Sequence, residues 1–248
     1  MEKKYLIFSD IHGNVSAFET VLNECNNEDI AGVILLGDNI DYGMRSNEII
    51  SILSGLRNSK WKDKPIIEIW GNHEKLVVDN DLERLSTDRG RVMAKYTKQH
   101  LSEDSVNYIL DVMERKGFTR FTLEGMHCLA VHGSKEDPYW KAITPSSLKG
   151  DYSDYDIVFS GHSHYSHCFT AFYPTDNKKL RNKKAVLFIN PGSIGQPRNQ
   201  NPCAQYAVLS LPSKCVEMRA VEYDIKAEQD LYPAEIDDFY KNRLTLGV

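Results

Sequence analysis

The 248-residue chain is 41 % apolar and 26 % charged, the balance of a globular protein with one sizeable core. A formal net charge of -5 argues against non-specific affinity for nucleic acid or anionic membrane, although bound cations can reverse the field locally. Five scattered cysteines with no CxxC pair argue against a disulfide framework, and they read as buried thiols in a reducing cytosol.

The first apolar run, residues 5–8, is far too short for a signal peptide or membrane span, so a cytoplasmic location and no membrane partner are expected. It ends at Ser9-Asp10 and reads as a strand buried on both faces. Residues 14–25 carry Phe18, Val21, Leu22 and Cys25 at helical spacing, with Ser16 and Glu19 as a capping box. A second run, 33–36, stops at Gly37-Asp38, and Ile49, Ile50, Leu53 and Leu56 then mark a helical face. A third, 66–69, stops at Gly71-Asn72-His73. Strand, polar loop and helix in repetition predict a parallel sheet with helices against it.

Residues 78–117 break that rhythm as a polar, helical insertion, with Val106, Ile109, Leu110 and Met113 at helical spacing and Ser102 as an N-cap. Because it follows the third strand end directly, it either folds over the site, with Arg84, Arg89, Arg91, Lys95 and Lys98 as substrate contacts, or presents them as a solvated helical face. Seven strands follow, at 118–123, 127–131, 157–159, 167–172, 185–189, 205–211 and 215–223. A last helix is predicted near Pro233, with Ile236, Phe239 and Tyr240 on one side. No repeat or long linker divides the chain, so residues 1–248 read as one α/β domain with two β-rich halves.

Polar residues gather at the strand ends, where open α/β sheets place ligands. They are Asp10 and His12, then Asp38 and Asp41, then Asn72, His73 and Glu74, then His132, and last His162 and His164. Five of the eight histidines fall at such ends, and Asp, His and Asn together suit divalent Mn, Fe, Co, Ni or Zn.

Asp10-Ile-His12-Gly-Asn14, Gly37-Asp38-Asn-Ile-Asp41, Gly71-Asn72-His73-Glu74, His132-Gly133 and Gly161-His162-Ser-His164 resemble, in order, the five signature blocks of the calcineurin-like metallophosphoesterases. The stretch from Asn190 to Arg198 further resembles the closing loop of the small bacterial and archaeal phosphodiesterase branch. The resemblance implies an αββα sandwich of two mixed β-sheets flanked by helices, with two metal ions at one rim. It makes Asp10, His12, Asp38 and His164 ligands of one ion and Asn72, His132 and His162 ligands of the other, with Asp38 bridging. It implies attack on a phosphate ester by a metal-bridging hydroxide, with His73 protonating the leaving oxygen and Asp41 orienting His73. Mn is expected first, with Fe, Ni, Zn and Co compatible. Glu74 reads as support or a helix cap.

Where protein phosphatases of the superfamily carry a phosphate-gripping arginine, this chain has Tyr42, which favours diesters or nucleotide-like substrates over doubly charged monoesters. Tyr42 and Arg198 are therefore candidate substrate contacts, and the expected partner is a small phosphorylated substrate, not long nucleic acid. Dinucleoside polyphosphate hydrolysis and phosphomonoester hydrolysis stay open, as does assembly into a homo-oligomer. A binding scaffold is the alternative of another class, but the scaffold with this fold, a retromer subunit, resembles these enzymes minus the histidine that His73 supplies here.

Overall fold

The computed structural model describes residues 2–248. Two five-stranded mixed sheets face each other. The first has the order β10-β9-β1-β2-β3, from β1 (Lys3–Phe8), β2 (Ile30–Leu35), β3 (Ile66–Glu68), β9 (Ala204–Leu211) and β10 (Cys215–Val221). The second has the order β4-β5-β6-β8-β7, from β4 (Phe118–Leu123), β5 (Met126–Val131), β6 (Ile157–Ser160), β7 (His167–Pro174) and β8 (Lys183–Asn190). Within each sheet three strands run parallel, β1-β2-β3 and β5-β6-β8, and the remaining pairs are antiparallel.

The apolar runs read from the sequence are these parallel strands, buried on both faces as such sheets require. Ile7, Ile34, Ala130, Phe159 and Leu209 fill the layer between the sheets. Helices α1 (Val15–Glu24) and α2 (Ser46–Asn58) cover the first sheet, with Phe18, Val21, Ile49 and Leu53 packed on Phe8, Leu35 and Tyr206. Phe8 meets Phe18 edge-on at 5.9 Å, the geometry aromatic quadrupoles favour. Ile143, Tyr152 and Tyr155 cover the far side of the second sheet. After α3 (Asn72–Val78) the insertion folds as α4 (Asp88–His100) and α5 (Glu103–Asp111), and Ala94, Ile109 and Met113 pack on Ile40 and Trp70. No described helix is long and apolar enough to cross a membrane.

Three local expectations are corrected. Asn14, not Ser16, caps α1, accepting from Ala17 N at 3.0 Å, while Ser16 N donates to Glu228 at 2.7 Å. The last helix, α7 (Asp238–Leu246), starts after Pro233, because Asp237 caps it and Ile236 is held among Met93 and Tyr240; a short α6 (Ile225–Gln229) precedes it. All five cysteines are free, but only Cys25 and Cys128 are buried.

Candidate metal centre

The parallel strands of both sheets end at one rim, and the loops leaving them keep the ladder going. Asp10 N donates to Gly37 O at 3.0 Å and His12 N to Asp38 O at 2.9 Å. The loop after β8 clamps the first of them, with Ser193 Oγ on Asp10 O at 2.7 Å and Asn14 Nδ2 on Gly195 O at 2.9 Å. Gly71 lies so near Asp38 that a Cβ would stand 2.0 Å from its carboxylate oxygen, so only glycine lets the second and third loops meet. Glu74 binds them from below, accepting from the N–H groups of Asp38, Asn39 and Gly71 at 2.7–2.9 Å. Burial, then the nearby Asp38, push its carboxyl up to about 7, opposed by those N–H groups.

Backbone strain is concentrated here. Among the described residues thirteen other than glycine have positive φ, and Asp10, His12, Asp38, Asp41, Tyr42, His162 and His164 are seven of them. Each costs about 1–2 kcal/mol in an L-residue, a cost that recurs where side chains must be aimed at function.

Seven side chains converge in two groups. Asp10, His12, Asp38 and His164 form one and Asp38, His132 and His162 the other, each with its donor atoms within 4.8 Å of one another. Asn72 Oδ1 adds to the second, 3.0 Å from His132 Nε2 and 2.8 Å from His162 Nδ1. All but His162 are buried.

The proton arithmetic calls for a cation. The Nδ1–H groups of His12, His132 and His164 donate to the carbonyls of Ile40, Leu36 and Gln196, at 3.2, 2.7 and 2.5 Å. Each ring therefore turns the Nε2 lone pair inward, as in metal sites whose outer nitrogen is held by a carbonyl. Two such lone pairs, of His12 and His164, face each other at 3.2 Å. Asp10 Oδ1 accepts no hydrogen bond, though His164 Nε2 is 3.1 Å away, and Asp38 Oδ2 lies 3.3 Å from His132 Nε2. Acceptors turned on one another in a dry site repel unless a positive charge sits between them. Donors about 2.0–2.2 Å from one ion stand roughly 3–3.6 Å apart, so the set fits divalent metal.

Beside the centre, His73 N donates to Asp38 Oδ1 at 2.8 Å and His73 Nδ1 lies 2.6 Å from Asp41 Oδ2. Burial works against protonation of His73, yet Tyr42, Asp38 and Asp41 prevail and raise it to about 10. Thr97 Oγ1, from α4, donates to Asp41 Oδ1 at 2.5 Å, a contact the sequence reading missed. The insertion thus reaches the site through a hydroxyl, whereas Arg91 pairs with Asp88 and Lys98 bonds Asn80. Tyr42 lies 4.6 Å from the His12 ring and 4.3 Å from that of His73. Arg198 N donates to His164 O at 3.3 Å, which puts both candidate substrate contacts at the rim. Trp140 lies 6.5 Å from His162, Tyr139 packs at Gly117 and Tyr165 is exposed.

Residues 4–214 match the family model of the calcineurin-like phosphoesterase superfamily domain. The chain belongs to that superfamily. An uncharacterized protein of Methanocaldococcus jannaschii is 26 % identical to it over 249 residues, 97 % of each chain. The crystal structure of a metallophosphoesterase from Sphaerobacter thermophilus matches with a TM-score of 0.73 at 25 % identity, over 100 % of both chains. A hypothetical protein from Pyrococcus horikoshii reaches a TM-score of 0.80 over 99 % of this chain and 98 % of its own, at 19 % identity, a likeness of fold alone. Family and site agree on a hydrolase of phosphate esters with a metal-binding Asp/His cluster.

Proposed function

We propose that this superfamily member is a two-metal phosphodiesterase acting on small, nucleotide-like phosphodiesters. The observation that carries the reading is the pair of donor groups sharing Asp38, with lone pairs of His12 and His164 turned on each other. Asp10, His12, Asp38 and His164 would hold one ion, and Asn72, His132, His162 and Asp38 the other, Mn being expected first. Ions bound there supply positive charge for the phosphoryl oxygens and acidify water so that hydroxide is at hand near neutral pH.

The protein's own groups do the rest. His73, kept protonated by the Asp41 pair, delivers a proton to the leaving oxygen through Nε2. Asp41 fixes the ring, and Thr97 fixes Asp41. Tyr42 presents a ring where a guanidinium would grip a second phosphate charge, which supports singly charged diesters over monoesters. A scaffold would have no use for a buried, paired His73.

The test is Mn-supported turnover of bis-p-nitrophenyl phosphate against p-nitrophenyl phosphate, with chelator and with His73→Ala. Diester preference is expected, abolished by chelation and lowered by about 10²–10⁴ in the variant. A monoester preference would overturn the substrate reading, and turnover insensitive to chelator would overturn the metal reading.

A further inference from the structure

Beyond the metal rim, two arginines sit on one aromatic platform and a third approaches it on a neighbouring loop. Arg89 of α4 sets its guanidinium 3.9 Å from the centre of the Phe239 ring, and Arg243 of α7 sets its own at 4.8 Å. Phe239 abuts Tyr240 at 5.5 Å, and Tyr240 stacks on Tyr42 at 5.3 Å. Tyr42 touches the His12 ring at 4.6 Å, so two ring-to-ring steps lead from the metal histidines to the helix that carries Arg243.

Arg198 arrives from the other side, on the loop that holds His164. Its Nη2 reaches Gln196 Oε1 at 3.2 Å, and its Nε is buried with no partner. Gln200 N donates to Gly247 O at 2.8 Å, tying this loop to the end of α7. Arg243 Nε donates to the main-chain oxygen of Val248.

Among the described residues, none of these three guanidiniums forms an ion pair with a side-chain carboxylate. Arg45, Arg57, Arg84, Arg91, Arg115 and Arg219 each have one, and the other two without, Arg120 and Arg181, lie apart on the second sheet and its β7–β8 connection. The crowding is felt: burial first, then Arg198, bring Arg243 down to about 10. Cations gathered with no side-chain carboxylate among them favour an anion that joins them. Exposure is graded from Arg89, open to solvent, through half-buried Arg198 to Arg243 at 9 %, so the cluster is reached from outside.

We propose that Arg89, Arg198 and Arg243 form a second anion subsite that takes a non-scissile phosphate, making the substrate a small phosphoester bearing a further phosphate group. The inference rests on the phosphoesterase reading and narrows its substrate class. Planar guanidinium forks are suited to phosphate oxygens, and Tyr42 lies between the two subsites.

Titration calorimetry on the Mn-loaded full chain tests it, with thymidine bisphosphate (one phosphate on each sugar hydroxyl) against thymidine monophosphate. The bisphosphate should bind about tenfold tighter or better, and Arg89→Gln and Arg198→Gln, on the more exposed arginines, should each remove most of that advantage. Arg243→Gln should do the same, with thermal unfolding to confirm that this buried position still folds. Equal affinity for the two nucleotides, or an advantage untouched in Arg89→Gln and Arg198→Gln, would overturn the subsite. If bis-p-nitrophenyl phosphate is turned over without any bisphosphate advantage, the subsite alone is overturned. If the bisphosphate advantage is present and falls in the arginine variants while the diester is not turned over, the subsite stands and the phosphodiesterase reading goes.

Discussion

Two buried clusters of charge lie one residue apart along the second loop. At Asp38 the metal rim begins, and at Asn39 a separate network joins Glu68, Arg57 and Tyr108. In that network Glu68 Oε2 accepts from Arg57 Nη2 and Tyr108 Oη, both at 2.9 Å, and Oε1 accepts from Asn39 Nδ2 at 3.3 Å. Burial pushes the Glu68 carboxyl up, and Arg57 works to bring it down. Donor meets acceptor at each of these contacts, although Asn39 Oδ1 is left without a partner. At the rim, by contrast, acceptor meets acceptor: His12 faces His164, Asp10 Oδ1 has no donor, and Asp10 and Asp38 stand among inward lone pairs. Glu68 and Asp38 are both buried, and it is the pairing around them that differs. A cluster that satisfies itself is part of the scaffold, while one that leaves its lone pairs on a shared void is built for something that comes from outside.

If that contrast is right, substitutions in the two clusters separate stability from activity. Asp38→Asn keeps the side chain's shape and the acceptor for His73 N while removing the charge that both donor groups share. Losing several kcal/mol of transition-state stabilisation corresponds to a fall in turnover of about a thousandfold or more. With metal chelated, the melting temperature should stay within about 3 °C of the unmodified chain, a change of roughly 1 kcal/mol. Turnover within tenfold of the original would break the comparison from the rim side.

Arg57→Ala should do the reverse. It strands the Glu68 carboxylate, and because Arg57 is itself part-exposed, at 27 %, the cost is discounted to about 2–3 kcal/mol, or roughly 5–10 °C in melting temperature. Metal content and diester turnover at a temperature well below the transition should change little. A variant that melts normally but loses its metal would mean that the Asn39 link makes the two clusters one.

Most of the rim was legible in the sequence because its residues sit within a few positions of strand ends, where local pattern fixes their placement. Asp10, Asp38, Asn72, His132 and His162 each follow a buried apolar run, and parallel strands bring such ends to one edge. What lay outside reach arrives through tertiary docking. The sequence marks residues 78–117 as polar and helical, but does not show that Thr97 within them would meet Asp41 across a separation of 56 residues. Ser16 fits a capping pattern as well as Asn14 does, and the choice falls to Glu228, whose carboxylate takes the Ser16 N–H from 212 residues away. The same docking hid the Arg89–Phe239–Arg243 group, since spacing reports neighbours along one helix and not those between two.

Thr97 tests the boundary between the two kinds of cluster, because its hydroxyl satisfies a buried carboxylate, as in the Glu68 network, but does so beside the rim. Thr97→Val preserves shape and leaves Asp41 with the His73 ring as its remaining side-chain partner. A hydrogen bond to a charged group contributes about 1.5–3 kcal/mol, and part of that is recovered as the carboxylate relaxes. The expected result is a drop of roughly tenfold in kcat, with KM for the diester nearly unchanged and a melting temperature lower by a few degrees. That split marks a group acting through His73 in the transition state and not on bound substrate. If Thr97→Val lowers stability alone and leaves kcat intact, the insertion merely packs against the site. If kcat falls as expected, the helix that interrupts the strand–loop–helix rhythm is what holds the Asp41–His73 pair in line.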